Sequence, residues 1–143
     1  MTSGVFVDTN ILVRHLAGDQ KAKKLIDQIE IGEIRGYINQ IVVSEVVFVY
    51  MRLLTKLDAK TLKRNHEIIC KIDLEPVYEI LSIFVELQSS NLITVESRKI
   101  MSRYGLLPND ALIAATCKHY GIRKIATFDE DFRRVDFLQV VEL

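Results

Sequence analysis

Apolar positions in this chain form short runs that alternate with longer segments of helical periodicity. The short runs predict buried strands, and segments in which apolar residues recur every three or four positions predict amphipathic helices. The predicted strands are 5–7, 36–39, 124–127 and 138–141. The predicted helices are 22–29, 58–72, 77–87 and 110–120. This alternation is typical of α/β proteins, and we expect a three-layer α/β/α sandwich around a short, mostly parallel sheet.

The segment 41–54 is ambiguous by propensity. Its β-branched and aromatic residues favour a strand. Its length, and a row of apolar residues at helical spacing, favour a buried helix. We predict a helix, with Glu45 inside it. The row consists of Val43, Val46, Val47, Tyr50 and Leu54.

Length and composition fit one domain over residues 1–143, with a hydrophobic fraction of 49% that allows a sizeable core. The 19 basic and 19 acidic residues cancel, which argues against binding of nucleic acid by bulk charge. A nuclease remains compatible with this balance, because a carboxylate site subtracts local positive charge. Basic clusters at 21–24, 60–64 and 98–103 are interpreted first as solvated helix faces.

The chain lacks the features of an exported or membrane-inserted protein. No run reaches the roughly 18 to 20 apolar residues of a membrane span, and the N-terminus has no basic start typical of a signal peptide. Two cysteines, Cys70 and Cys117, show no metal-binding spacing, and we expect buried thiols in a reducing cytoplasm.

Four acids stand where acids are unfavourable. Asp8 and Asp129 follow predicted strands, Glu45 lies in an apolar run, and Asp110 opens an apolar helix. Carboxylates are rarely buried unless they are paired or bind metal, and ligands of parallel sheets bind at the carboxyl ends of the strands. Converging carboxylates would repel one another, and a hard divalent cation with oxygen ligands would relieve that repulsion.

Each acid also has a purely structural interpretation. Asp8 could close an Asx-turn, Asp110 could cap its helix, Glu45 could pair with Arg52 or another basic residue, and Asp129 could be a turn residue. Spacing alone does not show that the four acids meet. Three histidines without ligand spacing are interpreted as structural or surface residues: His15, His66 and His119.

Four ordered motifs carry a resemblance to a known family. They are Val-Asp-Thr-Asn at 7–10, Ser-Glu at 44–45, Asn-Asp-Ala-Leu-Ile-Ala-Ala at 109–115 and Ala-Thr-Phe-Asp-Glu-Asp-Phe at 126–132. With them, the chain resembles PIN-domain proteins over nearly its whole length, and most of all the VapC-type toxins. The resemblance implies catalytic, metal-binding roles for Asp8, Glu45, Asp110 and Asp129, although Glu130 or Asp131 could supply the fourth carboxylate. It also implies that Asn10 and Thr127 support the acids by hydrogen bonds.

The resemblance implies a metal-dependent endoribonuclease with one or two Mg²⁺ or Mn²⁺ ions, which leaves 5′-phosphate and 3′-hydroxyl ends. Its implied partners are an RNA substrate, a small antitoxin protein and a second copy in a homodimer. Two alternatives within the family are a non-catalytic binding or assembly module and an RNA-processing nuclease without an antitoxin. A phosphatase with an aspartyl nucleophile is disfavoured, because Asn10 stands where that class has a second Asp.

Overall fold

A five-stranded, entirely parallel sheet organises the computed structural model, which describes residues 4–143. The strand order is β3-β2-β1-β4-β5. The strands are β1 (Gly4–Val7), β2 (Arg35–Asn39), β3 (Val85–Leu87), β4 (Lys124–Ala126) and β5 (Gln139–Val140). The helices are α1 (Thr9–Leu16), α2 (Gln20–Glu30), α3 (Gln40–Thr55), α4 (Ala59–Arg64), α5 (His66–Lys71), α6 (Glu75–Leu81), α7 (Asn91–Tyr104) and α8 (Pro108–Tyr120), with a 3-10 helix η1 (Glu130–Arg134).

The order of the strands reverses between β1 and β4. From β1 the chain builds outward to β2 and β3, and it then returns to place β4 on the other side of β1. Val7 pairs with Ala126 at this junction, and the backbone N–H of Asp8 donates to the Ala126 carbonyl over 3.0 Å. The crevice at such a reversal, outside the carboxyl ends of the strands, is the usual ligand site of open α/β sheets.

The helices cover the sheet in two contacting groups. Helix α1 contacts α2 and α3, and α3 also contacts α6, whereas α7 packs along α8. Helix α8 is nearly all apolar, and Ala111 and the segment 113–117 are buried. It ends at Gly121, whose φ of 71° is a left-handed conformation that glycine adopts without steric cost. The predicted α/β architecture with a parallel sheet is confirmed.

The ambiguous segment is helical, as predicted. Helix α3 begins after Asn39, whose side-chain oxygen accepts the N–H of Val42 over 3.2 Å and so caps the helix. The predicted burial is only partly correct, because α3 buries just Val42 and Val46. Of the rest of the predicted row, Val43, Val47 and Tyr50 are partly buried and Leu54 is exposed.

The prediction of one helix over 77–87 is wrong in its second half. Helix α6 ends at Leu81, and Leu87 belongs to the edge strand β3. Phe84 is buried because it packs beside Gly36 of β2, where an added Cβ would come within 2.8 Å of the Phe84 ring. Phe84 and Leu87 are core residues, but both lie beyond the end of α6. Their spacing from the apolar residues of α6 therefore matches a helical period only by coincidence.

Three further differences concern single segments. The predicted helix 58–72 is two short helices, α4 and α5, separated at Asn65. Cys70 is exposed and only Cys117 is buried, which corrects the expectation of two buried thiols. Helix α7 was not predicted from the sequence.

Among the helices within residues 4–143, none combines the length and apolar character needed to cross a membrane.

Candidate active site

The four predicted acids come from four elements that meet at the carboxyl edge of β1 and β4. Asp8 directly follows β1, and Asp129 lies three residues after β4. Asp110 lies in the first turn of α8, and Glu45 in the second turn of α3. The Asp8 side chain is buried, whereas the other three acids are partly exposed. Residues separated by more than one hundred positions in the sequence therefore surround one crevice.

The tightest group of carboxylates contains Asp110, Asp129 and Asp131. One oxygen from each lies within 4.8 Å of the others, a spacing at which a single cation could contact all three. Asp131 is exposed, and its Oδ1 accepts a hydrogen bond from Arg134 Nη1 over 2.9 Å. Both Asp129 and Asp131, two of the three residues considered for the fourth carboxylate, therefore face Asp110.

Burial and mutual repulsion disfavour negative charge in this crevice. Partial burial, together with smaller contributions from repulsion by Asp8, Asp129 and Glu45 and from a hydrogen bond with Asp129, raises the pKa of Asp110 from 3.8 to about 7. Burial also raises the pKa of Asp8, although hydrogen bonds from Thr127 and Thr9 oppose this rise. Negative charge is concentrated here beyond what the protein itself neutralises.

Asn10 and Thr127 connect the acids on the two central strands. Thr127 Oγ1 donates to Asp8 Oδ2 over 2.7 Å and accepts the backbone N–H of Asp129 over 3.0 Å. Asn10 Nδ2 lies 3.4 Å from Asp8 Oδ2 and 3.2 Å from Thr127 Oγ1. The Asn10 side-chain oxygen accepts the backbone N–H of Phe128 over 3.1 Å. This network fixes the segment 127–129 against the start of α1.

Glu45 is held by two residues that sequence reasoning did not assign to the site. Thr9 Oγ1 donates to Glu45 Oε1 over 2.8 Å, and Asn109 Nδ2 donates to Glu45 Oε2 over 3.2 Å. The proposed pairing of Glu45 with Arg52 is wrong, since no ion pair joins them within residues 4–143. The only signal in the sequence was that Thr9 and Asn109 each adjoin a candidate acid.

The structural interpretations of the acids are partly correct. Asp8 Oδ1 accepts the N–H of Thr9 over 2.8 Å, and Asp129 Oδ1 accepts the N–H of Asp131 over 2.9 Å. These carboxylates therefore cap α1 and η1 while they also face the crevice. Asp110 is not a cap, because α8 begins two residues earlier at Pro108.

Comparison with known proteins identifies the family. The sequence pattern of the PIN domain matches residues 5–138, which is most of the chain. The chain therefore belongs to the PIN-domain family, within its VapC-type branch.

One relative supports this assignment by sequence, and two solved structures share the fold. The chain is 50% identical over 139 residues to ribonuclease VapC2 of Methanocaldococcus jannaschii, with 97% of this chain and 93% of the relative covered. A toxin–antitoxin complex from Klebsiella pneumoniae contains a chain of similar fold, with a TM-score of 0.68, 23% identity and 97% of each chain covered. A chain of VapBC2 from Rickettsia felis, bound to a promoter DNA fragment, has a TM-score of 0.65, 19% identity and 96% coverage of each chain.

Proposed function

We propose that this protein is a metal-dependent endoribonuclease that hydrolyses RNA phosphodiester bonds, and that it is the toxin of a toxin–antitoxin pair. The observation that carries the proposal is the convergence of carboxylates on Asp110, which is repelled by Asp8, Glu45 and Asp129 together. The 50% identity to a protein named as a ribonuclease supports the same reaction class.

The donor set fits Mg²⁺ or Mn²⁺. Its oxygen ligands are those that hard divalent cations prefer, and no histidine or cysteine belongs to the group among residues 4–143. In the proposed site, Asp8, Glu45, Asp110 and Asp129 hold one or two ions, and Asp131 is an additional candidate ligand. When bound, such an ion activates water and stabilises charge on the attacked phosphate.

The protein's own residues contribute position and charge to this reaction. Thr127 and Asn10 hold Asp8 beside Asp129, and Thr9 and Asn109 orient the Glu45 carboxylate. Because these donors are neutral, they orient the carboxylates without cancelling their charge. The resulting preorganised site requires little rearrangement when the phosphate binds.

We further propose a small antitoxin that covers the acidic crevice, a homodimeric toxin and action in the cytoplasm. The similarity in fold to a chain of a toxin–antitoxin complex supports the proposal of an antitoxin. Co-expression with the product of an adjacent small gene, followed by co-purification and loss of cleavage activity, tests the partner. Light scattering of the purified chain tests the dimer.

The reaction is tested with end-labelled RNA and purified protein in EDTA, and after addition of Mg²⁺, Mn²⁺ or Ca²⁺. We expect cleavage with Mg²⁺ or Mn²⁺ only, with 5′-phosphate and 3′-hydroxyl products. Cleavage that persists in EDTA and in the Glu45→Gln variant would indicate a contaminating nuclease. Absence of cleavage under every metal, with RNA binding retained, would instead favour a non-catalytic binding module.

A further inference from the structure

The rim of the acidic crevice carries one arginine whose charge is not used by the site itself. Arg14 lies on α1, and its guanidinium carbon stands 4.0 Å from the centroid of the Phe128 ring. We propose that Arg14, supported by Phe128, binds a phosphate of the RNA next to the one that is cleaved. This inference rests on the proposed ribonuclease function and assigns a substrate contact within it.

The position of Arg14 follows from the geometry of α1. Residues four apart share one face of a helix, so Arg14 lies on the same face as Asn10, which contacts both Asp8 and Phe128. The guanidinium lies over the Phe128 ring, and its Nη1 is 4.0 Å from Asp19 Oδ2. Phe128 directly precedes Asp129 in the chain, and this contact places Arg14 beside the segment that carries a candidate acid.

Phe128 is a fixed support. Its backbone N–H is held by the Asn10 side chain over 3.1 Å, and it stands between Thr127 and Asp129, whose side chains form part of the acid network. A guanidinium stacked on an aromatic face keeps its plane fixed while the N–H groups on its edge remain free. Phe128 thus presents Arg14 beside the site without taking up its donors.

Those donors are only weakly engaged. Within residues 4–143 the Arg14 guanidinium donates no hydrogen bond, and its one ion pair, from Nη1 to Asp19 Oδ2, is long at 4.0 Å. Asp19 instead uses Oδ1 to cap α2. Arg134, which also lies at this crevice, differs from Arg14. Its guanidinium donates hydrogen bonds to the Asp131 side chain and to the backbone carbonyls of Tyr104 and Gly105.

A polyanionic substrate gives this weakly paired arginine a role. The crevice is lined by acids and the chain has no net charge, so neither attracts a nucleic acid from a distance. Metal ions neutralise the phosphate at the reacting position only. The neighbouring phosphates need a cation of the protein, and arginine offers a planar set of donors that matches phosphate oxygens.

The test measures RNA binding and cleavage separately. The binding of a fluorescent single-stranded RNA is measured against salt in a Glu45→Gln background with a fixed Mg²⁺ concentration, which prevents cleavage. Loss of one phosphate contact should reduce the slope of log K against log salt by about 0.7 for single strands. We expect this reduction for Arg14→Gln and an unchanged slope for Arg14→Lys, which keeps the charge.

In the otherwise wild-type protein, Arg14→Gln should raise KM for RNA by about 10-fold, the size expected for one charged hydrogen bond, with kcat nearly unchanged. Phe128→Leu should raise KM while the salt slope stays the same, since the charge remains and only its support is lost. Circular dichroism and thermal melts verify that each variant is folded.

Arg103→Gln is the matched control. Arg103 also has an aromatic neighbour, with its guanidinium carbon 5.2 Å from the Tyr104 ring centroid, and an acidic partner in Asp136 at 3.0 Å. Its substitution removes the same charge and should change neither KM nor the salt slope. If Arg14→Gln behaves like this control while the parent cleaves RNA, the inference is wrong and the proposed function stands. If the parent neither binds nor cleaves RNA with metal, both fail together.

Discussion

Asp110 is the residue at which the charge of the crevice acts most strongly. Partial burial and three neighbouring acids raise its pKa to about 7, while its place in the first turn of α8 puts it near the positive end of the helix dipole. Burial and repulsion together therefore outweigh the effect of the helix dipole on this pKa. A carboxyl group in this situation is protonated or neutralised by a cation near neutral pH, and that competition can be measured.

We expect the metal-free protein to lose stability relative to Asp110→Asn as pH rises. Because the pKa of Asp110 is raised from 3.8 to about 7 on folding, the stabilisation from protonation is complete below about pH 4 and is lost as pH rises through about 7. Urea unfolding of both proteins in EDTA between about pH 4 and 8 measures the difference. A difference that does not change with pH would contradict the raised pKa.

Glu45→Gln should abolish cleavage and leave the fold and any antitoxin binding largely intact. The amide keeps the shape of the side chain and loses the negative charge that the proposed site requires. The measurement is RNA cleavage at saturating Mg²⁺, alongside circular dichroism of the same preparation. Activity at the wild-type level would assign Glu45 a structural role only.

The positions of single acids could be predicted from the sequence, but not all of their partners could. Asp8 and Asp129 follow apolar runs, which already places them at a strand end. The hydrogen bonds of Glu45 to Thr9 and Asn109 span 36 and 64 positions, and they depend on how three helices pack. Local patterns carry no information about such distances.

At the scale of elements, Glu45 joins three helices. It stands on α3, accepts from Thr9 on α1 and accepts from Asn109 on α8, one residue before Asp110. The orientation of this carboxylate therefore depends on the packing of all three helices. Residues that orient metal ligands in this way typically change affinity or activity by about 10-fold to 100-fold when they are removed.

Thr9→Val should accordingly weaken Mn²⁺ binding and cleavage by about 10-fold, whereas Thr9→Ser, which keeps the hydroxyl, should restore both. Valine keeps the size of threonine, so loss of packing does not explain a defect. Calorimetric titration with Mn²⁺ gives the affinity and RNA cleavage gives the rate. Equal behaviour of the two variants would show that the hydroxyl has no such role.

At the scale of elements, a helix or strand could be predicted from the sequence where its buried residues recur at one clear spacing. Helices α2, α3 and α8 were predicted because their core positions are contiguous or regularly spaced. Helix α7 was missed, since Leu92 and Val95 are exposed while Ser97 is buried, which weakens the apolar contrast. Strand β3 was missed because only one of its three residues is buried.

At the scale of the whole molecule, the topology determines where the site lies. The strand order reverses between β1 and β4, where open α/β sheets form a crevice; Asp8 directly follows β1 and Asp129 lies three residues after β4. Alternation of strands and helices predicted the parallel sheet. The strand order depends on long-range packing, so it could not be predicted from local periodicity.

The central claim is that this crevice holds a divalent cation, and thermal melts of wild type and Asp8→Asn with and without Mn²⁺ test it most directly. A ligand that binds only the folded state stabilises it by about 2.7 kcal/mol at 100 times Kd, which corresponds to a rise in Tm of several degrees for 143 residues. We expect that rise for wild type and a much smaller one for the variant.

Without metal, Asp8→Asn should be at least as stable as wild type, because burial and repulsion already disfavour the ionised Asp8. If Asp8 served only to cap α1, Asn would replace it at little cost, because Asn and Asp cap helices about equally well, and Mn²⁺ would raise the Tm of neither protein. A wild-type Tm that rises by several degrees with Mn²⁺, alongside a variant that barely responds, is the result that this structure predicts. A wild-type Tm unaffected by both Mn²⁺ and Mg²⁺ would contradict it.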